Sequence, residues 1–172
     1  SQDNQRLREI LSLARTSESN RISAAVISRK ANGWWQQLEI NKGSNDEIKI
    51  GDAVLGPGGL LGIIYSVRPN ASRVRLLTDP GSKIGIWVQR IQRHGMLSGM
   101  GTNRTKVTFL DKDSQPQIGD FISTSPASSL LPPNLPIGVI KFLDKDALPA
   151  PYGIVQLIAS PEAIDWVQVI RN

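Results

Sequence analysis

The sequence predicts a mostly β fold in which a short N-terminal helix precedes two small barrels of six strands each. Three observations support this prediction. From residue 21 onward, short β-branched runs are separated by Gly, Pro, Asn and Asp; the 172 residues include 15 glycines and 11 prolines; and one sequence unit occurs twice. Hydrophobic residues at 40% and charged residues at 20% are typical of a folded globular protein.

The first 20 residues predict a helix rather than a strand. Leu7, Ile10, Leu11 and Ala14 are three or four positions apart, so they line one helical face. A helix this short is marginal alone, so that face must meet another surface. Two interpretations stay open: a helix docked on its own barrel, or the end of a coiled coil that continues upstream. In the second, these four residues are candidates for self-association.

The rest of the chain divides into two series of predicted strands and one terminal strand. The first series covers residues 22–28, 38–40, 53–55, 61–67 and 73–77. The second covers residues 84–89, 96–101, 105–110, 121–123, 137–142 and 154–158. The first series has five strands, one fewer than a six-stranded barrel needs, so we assign it the terminal strand 164–170. The predicted domains are therefore 1–20 (helix), 21–78 with 160–172 (first barrel) and 79–159 (second barrel).

The repeated unit consists of an Ile-Gly-Asp turn, a loop, and an apolar strand that contains a glycine. It reads IGDAV then LGII at residues 50–54 and 61–64, and IGDFI then IGVI at residues 118–122 and 137–140. Glycine permits a positive φ in such a turn, and aspartate bonds nearby backbone N–H groups. One carboxylate per repeat falls short of the several oxygen ligands that a metal requires. Asp52 and Asp120 are therefore interpreted as turn residues.

Composition narrows the functional classes. The chain has no cysteine and one histidine, so it offers no disulfide, no thiolate metal site and no zinc cluster, and we expect no cofactor. The net charge of +5 suits an anionic wall polymer, an anionic lipid or nucleic acid. Only Arg68, Arg73 and Arg75 approach a basic patch, and they lack the aromatic array of single-strand binders. A basic binding module for an anionic polymer is the alternative function; we expect no nucleic acid partner.

The stretch RHGMLSGMG at residues 93–101 raises the possibility of a serine hydrolase, because its only histidine precedes a glycine-flanked serine. A serine nucleophile needs a histidine within hydrogen-bond reach and a third group to orient it. On a strand, His94 and Ser98 are separated by four steps of about 3.3 Å, roughly 13 Å in total. They cannot meet. A serine–lysine pair with Lys83 or Lys106 is the remaining catalytic arrangement, and it requires a buried lysine.

Four stretches resemble, in the same order, the extracytoplasmic region of the MreC family of rod-shape-determining proteins. They are WWQQLEINKGSNDEIKIGDAVLGPGGLLGII, SRVRLLTDPGSKIGIWV, GMLSGMG and GDFISTSPASSLLPPNLPIGVI, which lie within residues 24–155. The chain departs from the family pattern at Glu47 and Asn134, where glycine is frequent. Asparagine is the next best residue for a left-handed turn, so we expect the second departure to leave the fold intact.

The resemblance implies a chymotrypsin-like double barrel without a catalytic triad, held at the outer face of the bacterial inner membrane. It implies a single membrane helix upstream of this fragment, followed by a coiled coil that ends in the first 20 residues. It also implies a non-catalytic scaffold of cell-wall elongation. Such a scaffold links MreB and MreD to the transpeptidase and glycosyltransferase of peptidoglycan synthesis, and it self-associates into dimers or filaments.

Candidate partner contacts are exposed apolar side chains outside the predicted core. Adjacent Trp34 and Trp35 would face opposite ways on a strand, where an exposed tryptophan often marks a contact surface, or would both be buried in a short helical turn. Leu130 and Leu131 lie in the long proline-rich loop 125–136, where they either contact a partner or cap the barrel end. Trp87 and Trp166, which lie in β-like runs, are expected in the core.

Overall fold

The computed structural model describes residues 20–29, 36–109, 115–127, 130–161 and 164–171. The predicted mostly β fold is confirmed, and each predicted strand is present with ends within three residues of the prediction. The strands are Arg21–Arg29 (β1), Gln37–Ile40 (β2), Ala53–Gly56 (β3), Gly59–Val67 (β4), Ser72–Leu76 (β5), Lys83–Val88 (β6), Arg93–Gly99 (β7), Thr105–Phe109 (β8), Phe121–Thr124 (β9), Pro136–Asp144 (β10), Tyr152–Leu157 (β11) and Trp166–Ile170 (β12). The predicted N-terminal helix lies outside the described residues.

The strands form two closed antiparallel barrels. The first has the order β1-β12-β3-β4-β5-β2, and the second has the order β10-β11-β8-β7-β6-β9. The C-terminal strand β12 therefore lies between β1 and β3 and supplies the sixth strand of the first barrel. Closure pairs every strand on both sides, which removes the exposed edges on which other chains would add a strand.

Alternating side chains fill each barrel. In β5, Ser72, Val74 and Leu76 point inward and are buried, and the intervening arginines point outward. One cluster of buried apolar side chains fills the first barrel, with Ile40, Leu61 and Val169 among its members. The interior of each small barrel is thus a packed core, as expected when six strands close on themselves.

A second apolar cluster fills the other barrel and continues into the first. Besides second-barrel residues such as Ile86, it contains Ala53, Leu60, Leu77 and Ile170. Strand β4 reaches both clusters because its apolar run is uninterrupted, so both faces of its first half are buried. The two barrels therefore share one continuous apolar contact and pack as a single body.

The first Ile-Gly-Asp turn closes on the strand that follows it. Gly51 has a φ of +98° and donates its N–H to the Ile64 carbonyl at 2.8 Å. The Asp52 side chain accepts the Lys49 N–H at 2.9 Å, and its carbonyl accepts the Ile64 N–H at 2.9 Å. The predicted turn chemistry is confirmed for this unit.

The second turn repeats this geometry bond for bond. Gly119 has a φ of +96° and donates to the Ile140 carbonyl at 2.8 Å. Asp120 accepts the Gln117 N–H at 2.8 Å, and its carbonyl accepts the Ile140 N–H at 3.0 Å. Because the same contacts recur at matching positions of both barrels, the sequence repeat is also a structural repeat.

Asp120 carries an additional ion pair. Arg90 donates from Nε to one carboxylate oxygen at 2.7 Å and from Nη2 to the other at 3.0 Å. Burial alone would raise the pKa of Asp120. The hydrogen bonds from Arg90 and from the Gln117 N–H, together with the charge of Arg90, outweigh burial and lower that pKa below its usual value.

The glycines of GMLSGMG make room for the connection between the barrels. A Cβ on Gly99 would lie 2.1 Å from the Asp79 carbonyl oxygen and 2.3 Å from the Thr78 carbonyl carbon. Gly101 donates its N–H to the Thr78 carbonyl at 2.8 Å. The end of β7 therefore packs directly against the backbone of the segment that connects the two barrels.

Both departures from the family pattern adopt the left-handed conformation that glycine favours. Glu47 has a φ of 64° and Asn134 a φ of 60°. The Asn134 N–H bonds the Thr124 carbonyl at 3.1 Å, so the predicted left-handed turn at this position is confirmed. Glu47 takes the same conformation despite its longer side chain, directly after the 3-10 helix Ser44–Asp46.

Replacing Gly99 by Ala should destabilise the protein. We expect a loss of about 2 kcal/mol or more in the free energy of unfolding, because the added methyl group meets backbone that cannot rotate away. The matched control is Gly85→Ala in β6, where a Cβ would meet nothing within 4 Å. Urea unfolding should show less than about 1 kcal/mol of change for the control. Equal effects for the two variants would contradict the proposed close approach.

Asp120→Asn should destabilise the protein in a pH-dependent way. At pH 7 we expect a loss of about 1–3 kcal/mol, the range for a hydrogen bond to a charged group. Because the pKa of Asp120 is lower in the folded than in the unfolded state, its contribution is present above the unfolded value and disappears as the pH falls through the folded value. In urea unfolding from pH 7 to pH 2.5, the difference in stability between the two proteins should therefore begin to shrink near about pH 4 and continue to fall at lower pH. A constant difference would contradict the pairing.

Candidate functional site

His94 and Ser98 both lie on β7 and do not meet. His94 is opposite Trp87 of β6, while Ser98 is opposite Lys83 of β6 and Lys106 of β8. The strand therefore keeps the two residues four positions apart, as the sequence argument required. No histidine–serine pair exists within RHGMLSGMG.

The structure instead brings His94 to Ser125, a contact that the sequence analysis missed. His94 Nδ1 lies 3.1 Å from Ser125 Oγ, and the imidazole stacks on Trp87 with ring centroids 6.1 Å apart and planes at 27°. Trp87 Nε1 donates to Ser123 Oγ at 2.9 Å. Ser123 of β9 and Ser125, the first residue of the loop 125–136, are thus linked to β6 and β7 through one aromatic pair.

This arrangement suits a structural role better than acyl transfer. Ser125 is buried, and its Oγ already accepts the Ala127 N–H at 3.1 Å. Among the described residues no Asp or Glu bonds His94, so the third group that orients a catalytic histidine is not supplied there. The histidine therefore fastens the start of the loop 125–136 to the barrel wall.

Ser98 lies between two lysines, the arrangement that a serine–lysine hydrolase would need. Lys83 is exposed and Lys106 is only partly buried, whereas a lysine general base requires desolvation. The Lys106 ammonium lies 4.7 Å from the centre of the Tyr152 ring. Its position is thus fixed by the aromatic ring and not by the serine hydroxyl.

The loop 125–136 separates its two leucines. Leu131 is 7% exposed and belongs to the apolar cluster of the second barrel, whereas Leu130 is 79% exposed. Thr124 holds the loop closed: its Oγ1 donates to the Pro132 carbonyl at 2.7 Å and accepts the Leu135 N–H at 2.8 Å. Leu131 caps the barrel, and of the two leucines Leu130 is the exposed one.

Trp166 was expected in the core, and this expectation was wrong. It is 64% exposed, because Val167 and Val169 take the inward positions of β12. The side chain lines a groove of about 550 Å³ between the barrels, together with Pro57 and Pro136. A large exposed tryptophan beside a groove is the type of feature that dominates binding energy at interfaces.

Arg73 and Arg75, two of the three arginines considered for a basic patch, have acidic or aromatic neighbours. Arg75 stacks over the Tyr65 ring at 5.1 Å and lies 3.9 Å from an Asp79 carboxylate oxygen. Arg73 is opposite Glu39 in the pairing of β5 with β2. Acidic and aromatic neighbours thus partner the outward charges of β5. The sequence-predicted candidates Trp34, Trp35, Leu7, Ile10, Leu11 and Ala14 lie outside the described residues.

Comparison with known proteins gives the family. Residues 26–171 match the family model described as "Rod shape-determining protein MreC, barrel core". The chain belongs to the MreC family. The cell shape-determining protein MreC of Haemophilus influenzae is 33% identical over 147 residues, which cover 84% of this chain and 42% of that protein. This chain thus spans less than half the length of that MreC relative.

Solved MreC structures share the double barrel. MreC of Listeria monocytogenes aligns with a TM-score of 0.84 at 24% identity, covering 99% of this chain and 90% of that one. MreC of Helicobacter pylori, solved in a complex with penicillin-binding protein PBP2, aligns with a TM-score of 0.69 at 14% identity, covering 88% and 98%. At these identities the likeness establishes the fold, which agrees with the family assignment.

Two features are absent from the described ranges of the chain. No helix there combines the length and hydropathy of a membrane span. Nor do three His, Asp or Glu side chains of those ranges come together as a metal site would require.

The two leucines of the loop 125–136 allow a direct test of which side chain packs in the barrel and which is exposed. Leu131→Ala should lower the free energy of unfolding by about 2–5 kcal/mol, because it leaves a cavity in the second barrel. Leu130→Ala, the matched control one residue away, should change it by less than about 0.5 kcal/mol. Thermal and urea unfolding measure both. A large loss for Leu130→Ala would place that side chain in the core.

Proposed function

We propose that this chain is the extracytoplasmic part of a non-catalytic scaffold for cell-wall elongation in a rod-shaped bacterium. In this role the protein couples MreB and MreD to the transpeptidase and glycosyltransferase that build peptidoglycan. The supporting observation is membership of the MreC family over residues 26–171. The complex of the H. pylori MreC with PBP2 supports a transpeptidase as the partner of the double barrel.

The architecture suits a binding role. Both barrel interiors are filled by apolar side chains, and the shared cluster holds the barrels in one arrangement. A rigid body of this kind binds with little loss of conformational entropy, because its surface is already ordered. We assign residues 21–78 with 160–172 to the first functional unit and residues 79–159 to the second.

The proposal also covers the segments upstream of the barrels. A membrane helix that precedes this sequence would anchor the barrels outside the inner membrane. Residues 1–20 would then end a coiled coil through which the protein forms dimers or filaments. The apolar face formed by Leu7, Ile10, Leu11 and Ala14 supports this part, since an amphipathic stripe needs a partner surface.

The transpeptidase contact can be tested with purified domains. The chain should bind the purified extracytoplasmic domain of a penicillin-binding protein with transpeptidase activity. That protein should come from the same bacterium. Trp166→Ala and Leu130→Ser should each weaken binding by about tenfold or more, because exposed apolar anchors dominate interface energies. Ile50→Ser, which removes a 70% exposed isoleucine of the first Ile-Gly-Asp turn, is the control. Absence of binding by the unaltered chain in biolayer interferometry would contradict the proposal.

Self-association is tested separately. Leu7, Ile10 and Leu11 are replaced together by Ser, and the molar mass is measured by light scattering after size-exclusion chromatography. We expect a dimer of the unaltered chain to become a monomer, because polar residues at the seam remove the buried apolar contact. A molar mass that does not change with these substitutions would contradict the coiled-coil interpretation.

A further inference from the structure

The outer wall of the second barrel carries a basic, apolar groove that the scaffold role does not require. The groove has a volume of about 830 Å³ and lies on the side of β8, β11 and β10. Among the residues that the structure describes, its lining includes three cations, Arg104, Lys106 and Lys141, and no carboxylate. This concentration of one charge distinguishes it from the surface of β5, whose arginines face acidic neighbours.

Three residues that line this groove, Lys106, Ile154 and Phe142, belong to one cross-strand row. Ser98, Lys106, Ile154 and Phe142 are successive cross-strand partners on β7, β8, β11 and β10, and Lys83 of β6 begins the same row. Directly opposed residues share a face of the sheet, so this row runs across five strands on the outside of the barrel. At about 4.8 Å per strand the row is roughly 19 Å long, the reach of about six extended residues.

A β-bulge in β10 adds the third cation. The register shifts between Ile140 and Phe142, so Lys141 is the extra residue and both Lys141 and Phe142 are exposed. Without the bulge, alternation would place one of the two side chains inside the barrel. The bulge therefore sets a cation and an aromatic ring side by side at one end of the row.

The groove is partly preorganised. Lys106 Nζ is held 4.7 Å above the Tyr152 ring, and the Tyr152 and Phe142 rings are 6.1 Å apart at 45°. Because these side chains are already ordered, less conformational entropy is lost when a ligand binds. Phe142 is 48% exposed and Met100 is 44% exposed, so both offer apolar contact.

These features determine the kind of ligand. Three cations require an anionic ligand, and the exposed Phe142 and Met100 require that it also carry apolar groups. Lys106 already occupies a face of Tyr152, unlike the open aromatic platforms on which sugars and bases stack. The closed barrel offers no strand edge, so recognition must proceed through side chains.

We propose that this groove binds an extended acidic segment of a partner protein. Its carboxylates contact Arg104, Lys106 and Lys141, and an intervening apolar side chain lies against Phe142 and Met100. The proposal goes beyond the scaffold function, because none of these residues belongs to the surfaces around Trp166 and Leu130. It stands or falls independently of transpeptidase binding.

The test uses a fluorescein-labelled peptide, Glu-Ser-Leu-Ser-Glu-Ser-Glu, in which alternate residues face one side when extended. We expect fluorescence anisotropy to show binding that weakens with added salt, because the contacts are charge-dependent. Lys106→Glu and Lys141→Glu should each weaken binding by about tenfold or more. Lys49→Glu, the same charge change at an exposed position of the first barrel, should leave binding nearly unchanged.

A second pair of measurements tests the apolar contact. Phe142→Ser should weaken binding of the leucine peptide by about fivefold and leave binding of a peptide with Ser in place of Leu unchanged. Equal binding of both peptides to the unaltered chain would overturn the proposal. So would inorganic polyphosphate binding as tightly as the leucine peptide and independently of Phe142, which would identify a general anion surface. Unchanged binding by both lysine variants would also overturn it.

Discussion

Both barrels depend on the same close backbone approach, made by a glycine in the first half of β4 and by one in the first half of β10. A Cβ on Gly62 would lie 2.4 Å from the Arg75 carbonyl oxygen, and one on Gly138 would lie 2.2 Å from the Gln156 carbonyl oxygen. The absence of a side chain lets the neighbouring strand approach closely enough for six strands to close. The two Ile-Gly-Asp turns then join the preceding loop to the same strands, so closure and turn form one repeated unit.

Closure determines how the molecule can function. A barrel with every strand paired has no edge to offer, and the apolar cluster shared through β4 fixes the barrels relative to one another. What remains for function is the outer surface and the groove between the barrels. The polar groups that suggested chemistry serve the fold: His94 contacts Ser125 at the start of a loop, and Asp120 holds Arg90 and a turn.

The strands and the duplication could be predicted because their sequence signals are local. Turn residues and β-branched runs mark each strand, and Gly51 and Gly119 reveal the repeat without any structure. The exposure of Trp166 could also have been predicted from the sequence, because alternation places Val167 and Val169 at the inward positions of β12. The contact of His94 with Ser125 joins residues 31 apart, and the bulge at Lys141 is a register shift, so neither has a local sequence signal.

The most direct test of a binding role without catalysis is cell shape. The substitutions His94→Ala, Ser98→Ala and Ser125→Ala are placed together in the full-length protein, in a bacterium that lacks its own copy. The account predicts that the cells remain rods, provided that the variant keeps its unfolding midpoint and its transpeptidase binding. Round cells containing a variant that is folded and still binds its partner would contradict the account, because catalysis by these groups would then be required.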